Sequence, residues 1–186
     1  MKTVELIREK DYRGYGIELR PVTPCDLPSL RRWRNNPKIS ATMCDQSYIS
    51  ADKQTRWYKR LKERTDQAHW VVWCKGTRTG YINIKETAPA GQAATLDVGM
   101  YAGNSPVRHA LLGFAMGLLQ LDLVFEVLSA PRIEMTVKET NANVLRFNRE
   151  LGYRETDRKD GFVHLAMTPA EYKMAKARLL RFFPRA

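Results

Sequence analysis

Residues 94–128 constrain this chain more than any other stretch. They open as an alternating run, Ala94-Thr-Leu-Asp-Val-Gly-Met-Tyr101. Leu96, Val98 and Met100 fall on one strand face, with Asp97, Gly99 and Tyr101 on the other. Gly103-Asn104-Ser105-Pro106 breaks the strand. From about Val107 the pattern becomes helical and strongly apolar. A strand, a tight turn and a helix in that order leave the first helical N–H groups unpaired and pointing at one spot, which suits a phosphate. The apolar run 110–128 is long enough to cross a bilayer. Gln120, Asp122 and Glu126 lie inside it, however, and carboxylates are costly at membrane depth. The run therefore reads as a buried helix, with Gly113 and Gly117 allowing close packing against a strand or a ligand.

A chain of 186 residues with 44% hydrophobic content fits one domain with a full core. We expect a single domain over 1–186, its core at about 16–167 and a basic terminal helix at 168–183. The charged N-terminus has no apolar signal core, so the cytoplasm is the expected location. Cys25, Cys44 and Cys74 are odd in number and widely spaced, giving neither a disulfide framework nor a metal spacing. The net charge of +11 admits anionic partners. Its bases are spread along the chain without a nucleic-acid motif, so an anionic-ligand cleft is expected rather than nucleic acid or membrane.

In chain order, residues 17–22 alternate as a strand, and Thr23-Pro24 opens a helix carrying Leu27, Leu30 and Trp33. Asn35-Asn36-Pro37 stops it, and a loop runs past Tyr48. Ser50 caps a second helix. His69–Cys74 and Thr79–Lys85 form a hairpin. After the central helix come a strand at 131–138, a helix at 141–151 ended by Gly152, and a hairpin of 153–157 with 162–167. Thr168-Pro169-Ala170-Glu171 is a capping box opening the last helix. The alternation of elements predicts a mixed α/β architecture.

Two motifs in this order resemble the GCN5-related N-acetyltransferase (GNAT) superfamily over about residues 16–167. Arg108-His109-Ala110-Leu111-Leu112-Gly113 is similar to its pyrophosphate loop, R/Q-x-x-G-x-G/A, with Leu111 standing where the pattern has its first glycine. Asn141 through Gly152-Tyr153, after a strand, is similar to its Asn-x-x-Ala/Ser to Gly-Phe motif. The resemblance implies acetyl-CoA as cofactor, no metal, and a cleft where the strand at 94–101 splays from the strand at 131–138. It further implies pantetheine pairing near Met100, Tyr101 and Ala102, pyrophosphate on N–H groups from Arg108 to Gly113, and cofactor contacts from Asn141 and Asn148. Many relatives place a proton-donating tyrosine where this chain has Asn148, and an asparagine cannot act as an acid.

Acetyl transfer needs a neutral amine, a polarised carbonyl and a proton for the thiolate. Asp97 and Glu86 are the candidate bases, and Tyr101 and Tyr81 the candidate acids. His69 and His164 are of the one side-chain type that can titrate near neutrality, but each reads first as a structural strand residue. The runs Leu30–Pro37 and Tyr48–Trp57 resemble enzymes that acetylate the 4-amino group of a UDP-linked amino sugar in pseudaminic acid synthesis. That implies acceptor contacts from Trp33, Arg34, Asn35, Tyr48 and Tyr81. A ribosomal-protein N-terminus, an aminoglycoside or another small amine is the alternative acceptor, and a non-catalytic CoA-binding protein the alternative class. A homodimer is left open.

Overall fold

The computed structural model describes residues 3–43, 45–87, 95–103 and 111–183. Its strands form two antiparallel sheets. The larger runs in chain order through β1 (Tyr12–Gly14), β2 (Ile17–Pro21), β3 (Gln67–Cys74), β4 (Thr77–Thr87) and β5 (Thr95–Ala102). The smaller has β6 (Ile133–Lys138), β8 (Phe162–Met167) and β7 (Arg154–Lys159), in that order across the sheet. The helices are α1 (Leu27–Arg34), α2 (Pro37–Ser40), α3 (Ala51–Glu63), α4 (Leu112–Asp122), α5 (Ala142–Leu151) and α6 (Pro169–Leu179). This is the mixed α/β fold with a splayed central pair: β5 and β6 approach each other but share no ladder among the described residues.

Local chemistry sets most boundaries. Lys75-Gly76 and Asp160-Gly161 have φ of 48°, 72°, 54° and 79°, the left-handed pairs that close two-residue hairpins. Ser50 and Asn141 accept N–H groups from Lys53 and Val144, and Thr168 with Glu171 makes a reciprocal capping box. Gly152, at φ 105°, ends α5 in the left-handed region.

Two elements differ from expectation. β1 pairs with β2 through a left-handed turn at Tyr15-Gly16, although its three residues carry little alternation. Asn36-Pro37, expected only to stop a helix and begin a loop, also starts α2. The Asn36 side chain accepts from the Lys38 N–H at 2.9 Å, and Pro37 needs no partner at the first helical position.

The larger sheet is buried on both faces. Leu19, Trp70, Ile82, Ile84, Leu96 and Val98 pack in the main core with α4, and Leu30, Trp33, Val71 and Tyr81 form a second cluster. α4 is buried from Ala115 to Leu121, which explains an apolar run without a polar stripe. A π-helical segment, Leu123–Val127, continues it. Among the described residues, no helix is long and apolar enough to cross a membrane.

Asp122 fastens α4 to its surroundings. Its carboxylate accepts from Tyr15 Oη at 2.6 Å, from Tyr172 Oη and from Lys176 Nζ at 2.5 Å. Burial, then the bond to Asp122, pushes Tyr15 up to about 12, and the same causes push Tyr172 upward. Unfolded tyrosines release their protons near 10.0, before these folded ones do. The contribution is therefore complete below pH 10 and is lost as pH rises toward 12. Denaturant midpoints measured across that alkaline window should fall, and Tyr15→Phe should flatten the fall.

Candidate active site

A cavity of about 480 Å³ opens between the two sheets. β5 forms one wall from Asp97 to Ala102, and Met135, Thr136 and Val137 of β6 form the facing one. Gly113, Gly117 and Gln120 line it from α4, and Phe147, Asn148 and Leu151 from α5. Lys38, Ile39 and Thr42 cover it from α2 and the residues after it.

The ladder directs a polar edge into this space. Gly103 N–H donates to Thr79 C=O at 2.8 Å, so these two residues are a hydrogen-bonded pair of the β4–β5 ladder. Alternation along an antiparallel pair then turns the N–H and C=O groups of Val98, Met100 and Ala102 away from β4, toward the cleft. Gln120, only 3% exposed, braces the strand: its Nε2 donates to the carbonyls of Asn83 at 2.7 Å and Gly99 at 3.1 Å. The α4 glycines face α5 rather than a strand. A Cβ on Gly117 would lie 2.8 Å from Leu151, and one on Gly113 3.4 Å from Phe147.

The structure brings Asp97, Met100, Tyr101, Ala102, Gly113 and Asn148 to this one cavity. Asn148 is 4% exposed and its side chain makes no hydrogen bond among the described residues. Leu111 and Leu112 open α4, the Leu111 carbonyl accepting from Ala115 N–H at 2.8 Å. Arg108, His109 and Ala110 lie outside the described residues.

Other candidates go elsewhere. Glu86 accepts from Val4 N–H at 2.5 Å, tying the N-terminal segment to β4, and does not line the cavity. Asn141 serves as the α5 cap. Asn35 spends its amide on the loop, donating to Ile49 C=O at 2.8 Å and accepting from Ile49 N–H at 2.9 Å. Trp33 is 3% exposed under Gly103, where a Cβ would lie 2.3 Å from the indole, so its ring offers no free stacking face. Tyr48 is 70% exposed and stands off the cavity. Arg34 donates to the Asp45 carbonyl.

His69 and Tyr81 are members of a buried polar chain. His69 Nδ1 lies 2.5 Å from Tyr81 Oη, and Asn83 Nδ2 donates to that oxygen at 3.3 Å. Burial, with the charges of Lys85 and Arg64, pushes His69 down to about 3, so it stays neutral at physiological pH and does not titrate there as the sequence allowed. Its stability contribution is present above the ordinary value of 6.5 and is lost as pH falls toward 3. Tyr81 stacks on Tyr101 with centroids 5.0 Å apart, and burial pushes both phenols upward.

Sequence reasoning missed Gln120, Lys38 and Tyr153 as cavity residues. A lone amide inside an apolar helix was the available signal for Gln120. For Lys38 it was the cap-and-proline pair Asn36-Pro37. Tyr153 gave none beyond its motif.

Two antiparallel sheets that part between β5 and β6, with a free strand edge beside the start of α4, define an acyltransferase-type cleft. The family model described as the acetyltransferase (GNAT) domain matches residues 17–154, and the chain belongs to this family of acetyltransferases. No curated protein matches it by sequence. Among solved structures it is similar to apo FdhC, described as a nucleotide-linked sugar GNAT. There the TM-score is 0.79 and the identity 16%, over 95% of this chain and 99% of that one. It is similar to the Campylobacter jejuni N-acetyltransferase PseH at TM-score 0.62 and 15% identity, over 83% and 99% of the chains. Spermidine N-acetyltransferase from Vibrio cholerae, in complex with CoA and spermine, gives 0.72 and 16% over 86% and 99%. At these identities the likeness concerns the fold.

Proposed function

We propose that this protein transfers the acetyl group of acetyl-CoA to a primary amine on a nucleotide-linked amino sugar, the 4-amino group of a UDP-linked sugar being the leading candidate. The observation that carries this reading is the charge around the cavity. Asp97 is the one carboxylate lining it among the described residues, and Lys38 lines it from above. A polyamine or aminoglycoside is a polycation and calls for several carboxylates; an acceptor carrying a diphosphate calls for cations. The fold-level likeness to a nucleotide-linked sugar GNAT adds support by analogy.

Acetyl-CoA supplies the activated thioester. Main-chain groups of Met100 and Ala102 are suited to pair with its pantetheine arm, and N–H groups up to Gly113 with its pyrophosphate. Asp97 takes the proton from the incoming ammonium, directly or through water, so that the amine attacks as a neutral nucleophile. N–H groups on the free edge of β5 stabilise the oxyanion. Asn148 hydrogen-bonds the sulfur, and the departing thiolate takes its proton from water or from Tyr101.

The test is calorimetry of acetyl-CoA binding, followed in the same cell by a UDP-linked 4-amino sugar, spermidine or an aminoglycoside. Reaction heat with the nucleotide sugar is expected. Turnover confined to spermidine or the aminoglycoside would replace the acceptor, and no acetyl-CoA binding would remove the enzymatic reading.

A further inference from the structure

Two cations without carboxylate partners stand at the roof of the cavity, Lys38 in its lining and Lys138 tied to the residue after Thr42, and a third, Arg34, lies off the lining with its charge reaching Tyr101 of the cavity wall. Lys38 lies on α2 at the cavity wall and is exposed. Lys138 ends β6 and reaches across the splay, where its Nζ donates to the Met43 carbonyl at 3.0 Å in a partly buried bond. Arg34 ends α1, and its Nη2 donates to the Asp45 carbonyl at 3.0 Å. Among the described residues none of the three enters an ion pair, whereas Arg78, Arg158 and Lys176 each hold a carboxylate. The carboxylate of Asp45 is the acid facing Arg34. It is exposed, accepts from Ser47 N–H and also faces Lys53, whose Nζ donates to Ser47 Oγ at 2.8 Å.

An ammonium carries three donors, and a half-buried one held by a single neutral carbonyl leaves two to fill. A guanidinium on one carbonyl is in the same position. An oxyanion completes such donors with charge-assisted bonds; a second cation is repelled. The Lys138–Met43 bond also has a mechanical consequence. It ties the segment that follows α2, and carries Thr42 at the cavity, to the opposite sheet.

We propose that Lys38 and Lys138 form a phosphate-recognition rim for the acceptor, with Lys138 as a latch whose hold on Met43 is exchanged for a phosphate oxygen. This rests on the nucleotide-linked acceptor reading and deepens it. The rim selects a phosphorylated amine over a bare one, and the exchange at Lys138 frees the roof as the acceptor enters.

The experiment measures steady-state constants for wild type, Lys138→Met and Lys38→Met with a UDP-linked 4-amino sugar and with the same amino sugar lacking the nucleotide. Competition by UDP alone is measured alongside. Loss of a charged hydrogen bond predicts that KM for the UDP-linked sugar rises about tenfold or more. The preference over the bare sugar should shrink by the same factor, UDP inhibition should weaken, and KM for acetyl-CoA should not follow. Methionine keeps the lysine stem, and a thermal melt of each variant separates loss of folding from loss of recognition. Unchanged KM for the UDP-linked sugar in both variants overturns the rim while leaving the acceptor reading in place. A parallel rise in KM for acetyl-CoA also overturns it, because the lysines then serve the cofactor's own phosphates. A wild type that prefers the bare sugar overturns the acceptor reading and the rim together.

Discussion

Asp97→Asn is expected to lower kcat by about a hundredfold or more, the range a positioned general base supplies. The amine to be acetylated arrives as an ammonium and is not a nucleophile until it loses a proton. Asp97 is the carboxylate that the cavity wall offers, from the β5 position opposite Lys85. The amide has the same shape, so acetyl-CoA binding should persist while proton removal fails. The deficit should shrink as pH rises, because more of the amine is then already neutral. Glu86→Gln is the matched comparison. Its carboxylate is engaged with Val4 N–H, so turnover should survive that change. Full kcat in the asparagine variant at neutral pH would mean that water removes the proton and that Asp97 is a strand residue with no part in the chemistry.

Asp122→Ala is expected to cost about 3–5 kcal/mol of folding stability, the range for removing one partner of a buried charged network. The Asp122 side chain is 16% exposed and Lys176 is 21% exposed, so solvent screens the pair only in part. Alanine would leave two tyrosine hydroxyls and an ammonium short of their acceptor, although Tyr172 Oη also donates to the Leu118 carbonyl at 3.0 Å and Lys176 retains Glu126. Asp122→Asn keeps the volume and an acceptor oxygen, and should lose less. Urea unfolding of both variants gives the numbers. A loss under about 1 kcal/mol would place the network with exposed salt bridges, which contribute little.

Much of the fold was legible because local rules and tertiary needs agree along this chain. The capping residues Ser50, Asn141 and Thr168 and the left-handed Gly152 stand where their helices begin and end. Alternation located β5, and an apolar run interrupted by acids was a buried helix. Where one local rule covers two outcomes, sequence reading chose wrongly. Asn-Pro both ends a helix and begins one, so α2 was read as loop, and with it went Lys38.

Side-chain roles were less legible than elements. Trp33, Tyr81 and Asn35 have the chemistry to bind a sugar, yet each is committed inside the fold. Trp33 is seated under Gly103, Tyr81 is joined to His69, and Asn35 bridges to Ile49. Sequence specifies which groups a strand presents on each face; it does not say what packs against that face. Glu86, at the end of one strand, and Asp97, within the central strand, both stood as candidate bases. One meets the N-terminal segment and the other an open cavity.

The sequence by itself determined the element order apart from β1 and α2, the caps, the buried character of α4 and the strand that carries Asp97, because each follows from periodicity and backbone preference within a few residues. Only the tertiary structure decided that β5 and β6 part to leave a cavity, that Gln120 holds the strand beside it, and that Lys138 reaches Met43. Those facts depend on groups far apart in the chain meeting in space, and no local preference encodes which distant partner a buried polar group will find.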